Sequence, residues 1–403
     1  MTVENKVVVI GQGYVGLPLA LAAAKAGWQV VGVEIDTAKF KRIESGDSTI
    51  ESVESSEILE LSKSGRYTIQ NNFQCINEAA IVIICVPTPL NDLKEPDLTS
   101  LRLVIQEMIP RLRDGTLVIN ESTSYPGTLK EEFERVIKKA RPDIETFYAV
   151  APERVDPGNP IFNHKNTPRI IGGTSPTAIS RAKTFYETIC DNVVVCGEPE
   201  TAEMAKLLEN SFRLVNISLI NEIATICTKL NIDVWDVIKA ASTKPFGFMP
   251  FKPGIGIGGH CIPIDPIYLN WYADKSGEKS SLIALAAEIN SERTSFYVKK
   301  IEELTPITCE IVVCGIGYKY ATSDVRESPS LDLMRKLRTI GYKVSWCDPY
   351  VLDWKGECSS IEFSSATLVV IHPYLDITQI EKHSGIILDT SGVYRNNPRV
   401  IQI

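Results

Sequence analysis

The fold turns on Lys6–Asp36, KVVVIGQGYVGLPLALAAAKAGWQVVGVEID. Lys6–Ile10 is a β-branched run, the composition of a buried strand. Gly11-Gln12-Gly13-Tyr14-Val15-Gly16 follows at once, and Leu17–Ala26 is Ala- and Leu-rich, as a helix would be. Gly27 closes that helix, and Gln29–Val33 is a second strand ending in Glu34-Ile35-Asp36. The order strand, Gly-x-Gly-x-x-Gly, helix, strand predicts a β-α-β unit with a dinucleotide-binding turn. Gly11 permits the tight turn, Gly13 lets backbone approach a pyrophosphate, and Gly16 allows close helix–strand packing; Tyr14 and Val15 complete the turn. Glu34, 23 residues after Gly11, can accept hydrogen bonds from ribose hydroxyls and repels a 2′-phosphate. That favours NAD over NADP. A structural turn without a ligand is the alternative.

Working outward, further strands are expected at 80–86, 116–120 and 146–150, between helical stretches at 58–64, 99–113 and 128–140. This is an α/β pattern, an open parallel sheet with helices on both faces. A helix at 177–190 and a short strand at Asn192–Cys196 follow. Pro199–Lys229 then reads as one long helix of some 45 Å, at about 1.5 Å per residue. Such a helix joins two domains or packs against a twin in a dimer. Val234–Ser242 is helical, Lys244–Pro266 is a Gly/Pro-rich loop, and 280–303 is helical again. The C-terminal part repeats the opening plan: strand Cys309–Cys314, Gly315-Ile316-Gly317, helix 329–340, Gly341, then Lys343–Cys347 and Asp348. The spacing from Gly27 to Glu34 equals that from Gly341 to Asp348. Tyr320 stands at the third glycine's place, after which the chain carries an insert, so this second turn should not hold a pyrophosphate in the same way. The predicted fold is two Rossmann-like doubly wound domains, 1–198 and 304–403, joined by a long central helix and a helical middle domain, 199–303.

The chain has 403 residues, 44% hydrophobic and 23% charged, an ordinary globular composition. With 42 basic against 50 acidic residues, a net of −8, it is a poor candidate for nucleic-acid binding. Its longest apolar run, Ala79–Val86, is well short of a membrane span. Met1–Lys6 is polar with no signal-peptide pattern, so the expected compartment is the cytoplasm. Ten cysteines without Cys-x-x-Cys and only four histidines give no metal-site spacing; most of the thiols are expected to be buried and reduced.

Several constellations could carry chemistry. Lys206 and Asn210 are four apart, on one face of the long helix, with Arg213 on the next turn. They could line a cleft and stabilise an oxyanion, or Lys206 could be a solvated surface lysine. In Gly256-Ile257-Gly258-Gly259-His260-Cys261-Ile262-Pro263-Ile264-Asp265-Pro266 the glycines let backbone come close to a ligand. Cys261 there is either an activated nucleophile or a buried loop cysteine. Pro152-Glu153-Arg154 follows the strand at 146–150, at the sheet edge where ligands bind; the alternative is an exposed ion pair. Glu121-Ser122-Thr123 and Val86-Pro87-Thr88-Pro89 occupy equivalent strand ends, their hydroxyls suited to hold cofactor or water, or to cap the next helix.

Taken together these residues resemble the UDP-sugar 6-dehydrogenase family. The carrying motifs are Gly-Gln-Gly-Tyr-Val-Gly-Leu-Pro (11–18), Val-Pro-Thr-Pro (86–89), Ser-Thr (122–123), Ala-Pro-Glu-Arg-Val-x-Pro-Gly (151–158), Ala-Lys-Leu-x-x-Asn (205–210), Gly-Gly-His-Cys-Ile-Pro-Ile-Asp-Pro (258–266) and Gly-Tyr-Lys-x-x-x-x-Asp-x-Arg-x-Ser-Pro (317–329). The resemblance implies a four-electron oxidation of a sugar C6 alcohol to a carboxylate, with NAD reduced twice. It makes Cys261 the nucleophile that forms a thiohemiacetal and then a thioester, and Glu153 the general base for thioester hydrolysis. Lys206 and Asn210 become oxyanion stabilisers, and Asp265 and Thr123 the pair that holds a catalytic water. Pro87, Thr88, Thr123 and Arg326 would join the glycine turn in holding NAD. Arg154, Arg213, Gly258, Gly259 and Lys319 would join Glu153, Lys206 and Asn210 around the substrate, with UDP held by the C-terminal domain. A homodimer is implied as well.

The 151–158 form, with Pro157 where glucose-specific members carry a second Glu, and Thr243-Lys244-Pro245-Phe246-Gly247-Phe248 resemble the acetamido-sugar branch. The expected substrate is a UDP-N-acetylhexosamine, UDP-N-acetylglucosamine favoured over UDP-N-acetylmannosamine and UDP-glucose, for surface-polysaccharide precursors. Lys252, Ile255 and Ser391 depart from the branch's usual residues. Outside the family, a two-electron β-hydroxyacid dehydrogenase shares the glycine turn and the Lys-x-x-x-Asn face but needs neither the thiol nor the second Rossmann-like domain. A non-catalytic nucleotide-sugar sensor could dispense with Cys261, Lys206, Asn210 and Glu153.

Overall fold

The computed structural model describes residues 5–48, 50, 53–156, 159, 161–359 and 365–403; Pro157 and Gly158 of the motif above, and Met1–Glu4, lie outside them. The chain divides into two compact units, Met1–Glu209 and Asn210–Ile403.

In the first unit β1 (Lys6–Ile10), α1 (Gly16–Lys25) and β2 (Gln29–Val33) form the expected β-α-β unit. Val7, Val8 and Val9 are fully buried, so both faces of β1 are covered, which is why the strand is a continuous apolar run. Gly27, at φ +104°, ends α1 in the left-handed turn expected of a glycine just past a helix. Its N–H donates to Ala24 O and that of Trp28 to Ala23 O, both at 3.1 Å. There follow α2 (Thr37–Glu44), α3 (Ser55–Lys63), β3 (Tyr67–Gln70), β4 (Ile81–Ile84), α4 (Thr99–Met108), β5 (Thr116–Asn120), a wide helical turn over Leu129–Glu134 running into α5 (Arg135–Ala140), β6 (Thr146–Val150), β7 (Arg169–Gly173), α6 (Pro176–Tyr186) and β8 (Val193–Gly197). The eight strands run in the order β3-β2-β1-β4-β5-β6-β7-β8. β1 and β4, adjacent in the sheet, bound the crevice where doubly wound sheets receive ligands.

In this sheet two features depart from the sequence reading. β3 and β7 were not expected as strands, and β7 runs antiparallel to β6, so the sheet is parallel except at that one junction. The reversal delivers Arg169, the first residue of β7, to the same sheet edge as the last residues of β5 and β6.

Helix α7 (Pro199–Leu230) is the long helix predicted. In the second unit it is followed by α8 (Val234–Ala241), α9 (Asp265–Lys275), which the loop assignment overlooked, and α10 (Ser281–Leu304). Next come β9 (Glu310–Cys314), α11 (Pro329–Ile340), β10 (Lys343–Cys347), a two-residue ladder of β11 (Asp353–Trp354) with β12 (Glu357–Cys358), β13 (Thr367–Val370), α12 (Ile377–Lys382), β14 (Ile387–Asp389) and β15 (Val400–Gln402). The sheet β10-β9-β13-β14-β15 is wholly parallel. One face packs Ile311, Val313 and Val369 on Tyr297, Ile301, Leu333 and Leu337 of α10 and α11; the other packs Val312, Leu368 and Ile387 on Ile380 of α12.

The repeat seen in the sequence extends to its hydrogen bonds. Gly341 N–H and Tyr342 N–H close α11 on Arg338 O and Leu337 O, both at 3.1 Å, as Gly27 and Trp28 close α1. Glu34 Oε2 accepts from Gln12 N in the first glycine turn (3.1 Å). Asp348 Oδ2 accepts from Ile316 N (2.9 Å) and Gly317 N (3.1 Å) in the second.

The thiols differ from expectation: Cys75, Cys190, Cys227 and Cys314 are buried, four are half-buried, and Cys261 and Cys358 are exposed. Among the described residues no helix is long and apolar enough to cross a membrane.

Candidate active site

The glycine turn presents an open cradle. A Cβ on Gly11 would stand 2.5 Å from Cys85 O, and one on Gly16 would stand 1.8 Å from Gly11 O, so both glycines are demanded by the protein's own packing. A Cβ on Gly13 would meet nothing within 4 Å, and its φ is outside the left-handed region. Neither packing nor conformation accounts for that glycine, and its backbone is open to a docking group. Glu34 is buried, and its Oε1 accepts from Asp36 N at 2.9 Å. The carboxylate is therefore held rigidly at the end of β2, where a ribose would lie. Thr88 is buried and Pro87 exposed at the end of β4. These residues fit an NAD. In the second unit a Cβ on Gly317 would meet Thr322 O at 2.5 Å, because the chain's own insert lies over that turn.

At the adjoining edge of the first sheet lies a buried charge cluster. Arg169 is 3% exposed; it donates to Glu153 Oε2 at 2.9 Å and lies 3.4 Å from Glu121 Oε2. Tyr186 O–H donates to Glu121 Oε1. Glu153 Oε1 accepts from Arg154 N (2.6 Å) and Val155 N (2.8 Å), and His164 Nδ1 lies 3.3 Å from Oε2. Burial alone would raise the Glu153 pKa, but the Arg169 charge, His164 and the Val155 N–H outweigh it and hold the carboxyl well below its usual range. Burial pushes Glu121 up to about 7 despite Arg169, with repulsion from Glu153 adding to the rise. Glu153 is thus neither free nor an exposed ion pair. The sequence reading missed Arg169 and His164. The available signal was a charged residue opening the buried run Ile170-Ile171-Gly172-Gly173.

Lys206 is 9% exposed, which excludes a solvated surface lysine. Its helix is anchored to the first unit on two sides. Arg154 pairs with Glu209, with Nη2 2.5 Å from Oε1. Glu203, itself buried, accepts from Gly127 N (2.7 Å) and Leu129 N (3.0 Å), just beyond half-buried Thr123. Desolvation raises the Glu203 carboxyl to about 8. Arg213 is exposed.

In the second unit Cys261 is exposed on the glycine-rich loop. Its carbonyl accepts from Ile264 N (3.1 Å) and Asp265 N (2.8 Å), so the thiol sits one turn ahead of α9. Asp265 is 3% exposed and accepts from Asn210 Nδ2 at 2.5 Å, which brings two of the sequence-predicted residues together. His260 is lowered by burial and by Arg326, so the neighbouring imidazole is neutral. Arg326 pairs with Asp324 at 2.6 Å, and Lys319 is half-buried. Gly258 and Gly259 lie flush against Tyr318, where a Cβ would come within 3.0 Å and 2.7 Å of its side chain.

The UDP-glucose/GDP-mannose dehydrogenase family matches in three consecutive segments: its NAD binding domain over 5–190, its central domain over 200–292 and its UDP binding domain over 312–395. A UDP-N-acetyl-D-mannosamine dehydrogenase of Methanococcus maripaludis (strain C7) is 34% identical, over 98% of this chain and 94% of its own. A UDP-N-acetyl-D-glucosamine 6-dehydrogenase of Pseudomonas aeruginosa is 33% identical, over 86% of this chain and 83% of its own. The solved UDP-D-ManNAc dehydrogenase of Pyrococcus horikoshii superposes with a TM-score of 0.89 at 32% identity over 98% of both chains. With the glycine cradle, the buried lysine and the exposed thiol each lying in the matched segments, the chain belongs to the UDP-glucose/GDP-mannose dehydrogenase family of NAD-dependent oxidoreductases.

Proposed function

We propose that this protein oxidises the C6 alcohol of a UDP-N-acetylhexosamine to the carboxylate, using Cys261 as covalent nucleophile. The observation that carries the reading is the exposed Cys261 thiol on a glycine-rich loop at a helix N-terminus, in a chain that also holds an open dinucleotide cradle at Gly13. Bound NAD supplies the hydride acceptor, two equivalents per sugar. The backbone at Gly13, the Glu34 carboxylate and Thr88 would hold it.

The chain's own groups then do the following. A base takes the C6 hydroxyl proton as the first hydride leaves, giving an aldehyde. The Cys261 thiolate adds to that carbon, forming a C–S bond and a thiohemiacetal. Loss of a second hydride and a proton gives a thioester. Water cleaves the C–S bond, returning the thiol and releasing the carboxylate. One alcohol, one water and two NAD⁺ thus yield one carboxylate, two NADH and three protons. Lys206 and Asn210 stabilise the oxyanions, because a buried ammonium acts more strongly than an exposed one. Asp265, held by Asn210, orients the water. The resemblance offers Glu153 as general base. Its depressed pKa makes it a weak base near neutrality, and its better part is that of a fixed anion that holds the backbone at Arg154 and Val155.

Between the two C2 epimers, relatives named for UDP-N-acetyl-D-mannosamine match over more of the chain, 98% against 86%. That coverage supports the manno epimer beside the gluco epimer that the motifs favour. The test is NAD⁺ reduction across UDP-N-acetylmannosamine, UDP-N-acetylglucosamine, UDP-N-acetylgalactosamine and UDP-glucose. Two NADH per acetamido sugar are expected; a clear preference for UDP-glucose sinks the sugar assignment, and one NADH per sugar sinks the thiol chemistry. A homodimer is also proposed, supported by Phe212, Leu219, Ile226 and Leu230, all exposed at helical spacing along α7. Sedimentation of Leu219→Asp against the unchanged protein checks it.

A further inference from the structure

A nucleophilic sulfur is useful only if the chain holds it within a fraction of an ångström of its target. The segment carrying Cys261 has no regular structure of its own: α8 ends at Ala241 and α9 begins at Asp265. Its rigidity must come from pins supplied by other elements, and the structure shows where they are. Gly254 N donates to Asn221 Oδ1 of α7 at 2.9 Å, and Arg293 Nε of α10 donates to Gly254 O at 3.0 Å. Asn290 of α10 takes Ile257 on both sides: its Oδ1 accepts from Ile257 N at 2.7 Å, and its Nδ2 faces Ile257 O at 3.4 Å. Beyond it, Gly259 N donates to Arg326 O at 3.1 Å.

We propose that Asn290 is a positioning residue for the Cys261 thiol. Its carboxamide sets the peptide of Ile257, four residues ahead of the sulfur, and so seats Gly258 and Gly259 against Tyr318 and the Arg326–Glu327 backbone. The fit leaves no slack. A Cβ on Gly258 would stand 2.6 Å from Glu327 O, and Gly259 adopts φ +83°. A loop packed this closely transmits a shift at Ile257 to Cys261 rather than absorbing it. Asn290 and Arg293 are three apart on α10, on one face, and Arg293 is itself fixed by Thr225 Oγ1 (2.8 Å) and Tyr297 O–H (3.1 Å). The two side chains therefore act as one clamp on a stiff helix. Asn290 itself need touch neither substrate nor cofactor.

This inference rests on the reading of Cys261 as the nucleophile, and the experiment separates the two. Asn290→Ala, Asn290→Asp and Cys261→Ala are compared with the unchanged full-length protein. The readouts are kcat, KM for the UDP-sugar, free aldehyde trapped with hydroxylamine, the rate of Cys261 alkylation by iodoacetamide, and Tm. For Asn290→Ala the expectation is a kcat lower by about tenfold or more, a KM within about twofold, and aldehyde escaping into solution. Asn290→Asp keeps an acceptor for Ile257 N and should recover part of the loss. Unchanged kcat with no aldehyde in Asn290→Ala overturns the proposal. So does a parallel loss in kcat, KM and Tm that Asn290→Asp does not relieve, which would make Asn290 merely structural. If Asn290→Ala does not fold, Asn290→Leu, which keeps the bulk but neither hydrogen bond to Ile257, takes its place, and unchanged kcat with unchanged alkylation there overturns the proposal equally. Full turnover by Cys261→Ala removes the thiol reading and this inference with it.

Discussion

Replacing Gly13 with Ala separates a glycine kept for a ligand from glycines kept for the fold. A Cβ at Gly13 meets no protein atom within 4 Å, and the residue is not among the glycines with positive φ. The added methyl should stabilise the chain by about 0.4–1 kcal/mol, by restricting the unfolded state. At roughly 2–4 °C per kcal/mol for a unit of this size, Tm rises by about 1–4 °C. Gly11→Ala is the control. It forces an L side chain to φ +89° and brings its Cβ to 2.5 Å from Cys85 O. The left-handed conformation costs about 1–2 kcal/mol and the overlap about 1–3 kcal/mol, so Tm should fall by roughly 4–20 °C. For NAD⁺ binding the order reverses in meaning. The Gly13 methyl occupies the approach to the backbone, and a clash of about 1.4–3 kcal/mol weakens Kd by about ten- to more than a hundred-fold. Calorimetric titration with NAD⁺, alongside thermal unfolding, reads both quantities. A Gly13→Ala protein that binds NAD⁺ with unchanged Kd, or that loses as much stability as Gly11→Ala, refutes the reasoning.

Cys261→Ala should bind NAD⁺ and the UDP-sugar but form no uronic acid, which product analysis by mass spectrometry checks. Glu203 is raised to about 8 by burial, so between its unfolded pKa and about 8 the folded chain holds a proton that the unfolded chain has lost. Its contribution to stability is full below the unfolded pKa and is lost as pH rises through about 8. The stability of the protein relative to Glu203→Gln should therefore fall from pH 5 to 9, by up to about 1.4 kcal/mol per unit; a pH-independent difference in urea unfolding contradicts this. Arg169→Met leaves Glu121 and Glu153 buried without their shared cation. It should destabilise by about 3–5 kcal/mol, whereas Tyr186→Phe, which removes one hydrogen bond to Glu121, should cost about 1–3 kcal/mol; equal costs for the two would show that Arg169 does not carry the cluster. Asn210→Ala should lower kcat more than KM, since it removes a hydrogen bond that holds Asp265; an effect on KM alone argues against the water-orienting role.

The parts of the site that were legible in the sequence are those whose chemistry is local. The turn at Gly11–Gly16, the closing Gly27 and the acid at Glu34 lie in one contiguous stretch, and steric rules on a few peptide units dictate their arrangement. The same rules exposed the repeat at Gly341 and Asp348, and the failure of the third glycine at Tyr320. The spacing of Lys206 and Asn210 followed from the period of one helix. The resemblance supplied what spacing could not, the pairing of Cys261 with a reaction. Strands β3 and β7 and helix α9 escaped because their own residues carry weak periodicity; the partners they pair with or pack on, far along the chain, give them their identity.

The sequence by itself determined the two glycine-turn nucleotide folds and the residue types available to the chemistry. Covalent neighbours and one helical period suffice for that. Only the tertiary structure decided the charge states and the fixity of those residues. Arg169 arrives beside Glu121 and Glu153 through an antiparallel turn of the chain, and it is this meeting, away from water, that lowers one carboxyl and leaves the other raised. In the same way Lys206 is withdrawn from solvent and the Cys261 loop is pinned by Asn290 and Arg293. Burial and long-range hydrogen bonds depend on residues distant in sequence, so no local pattern announces them.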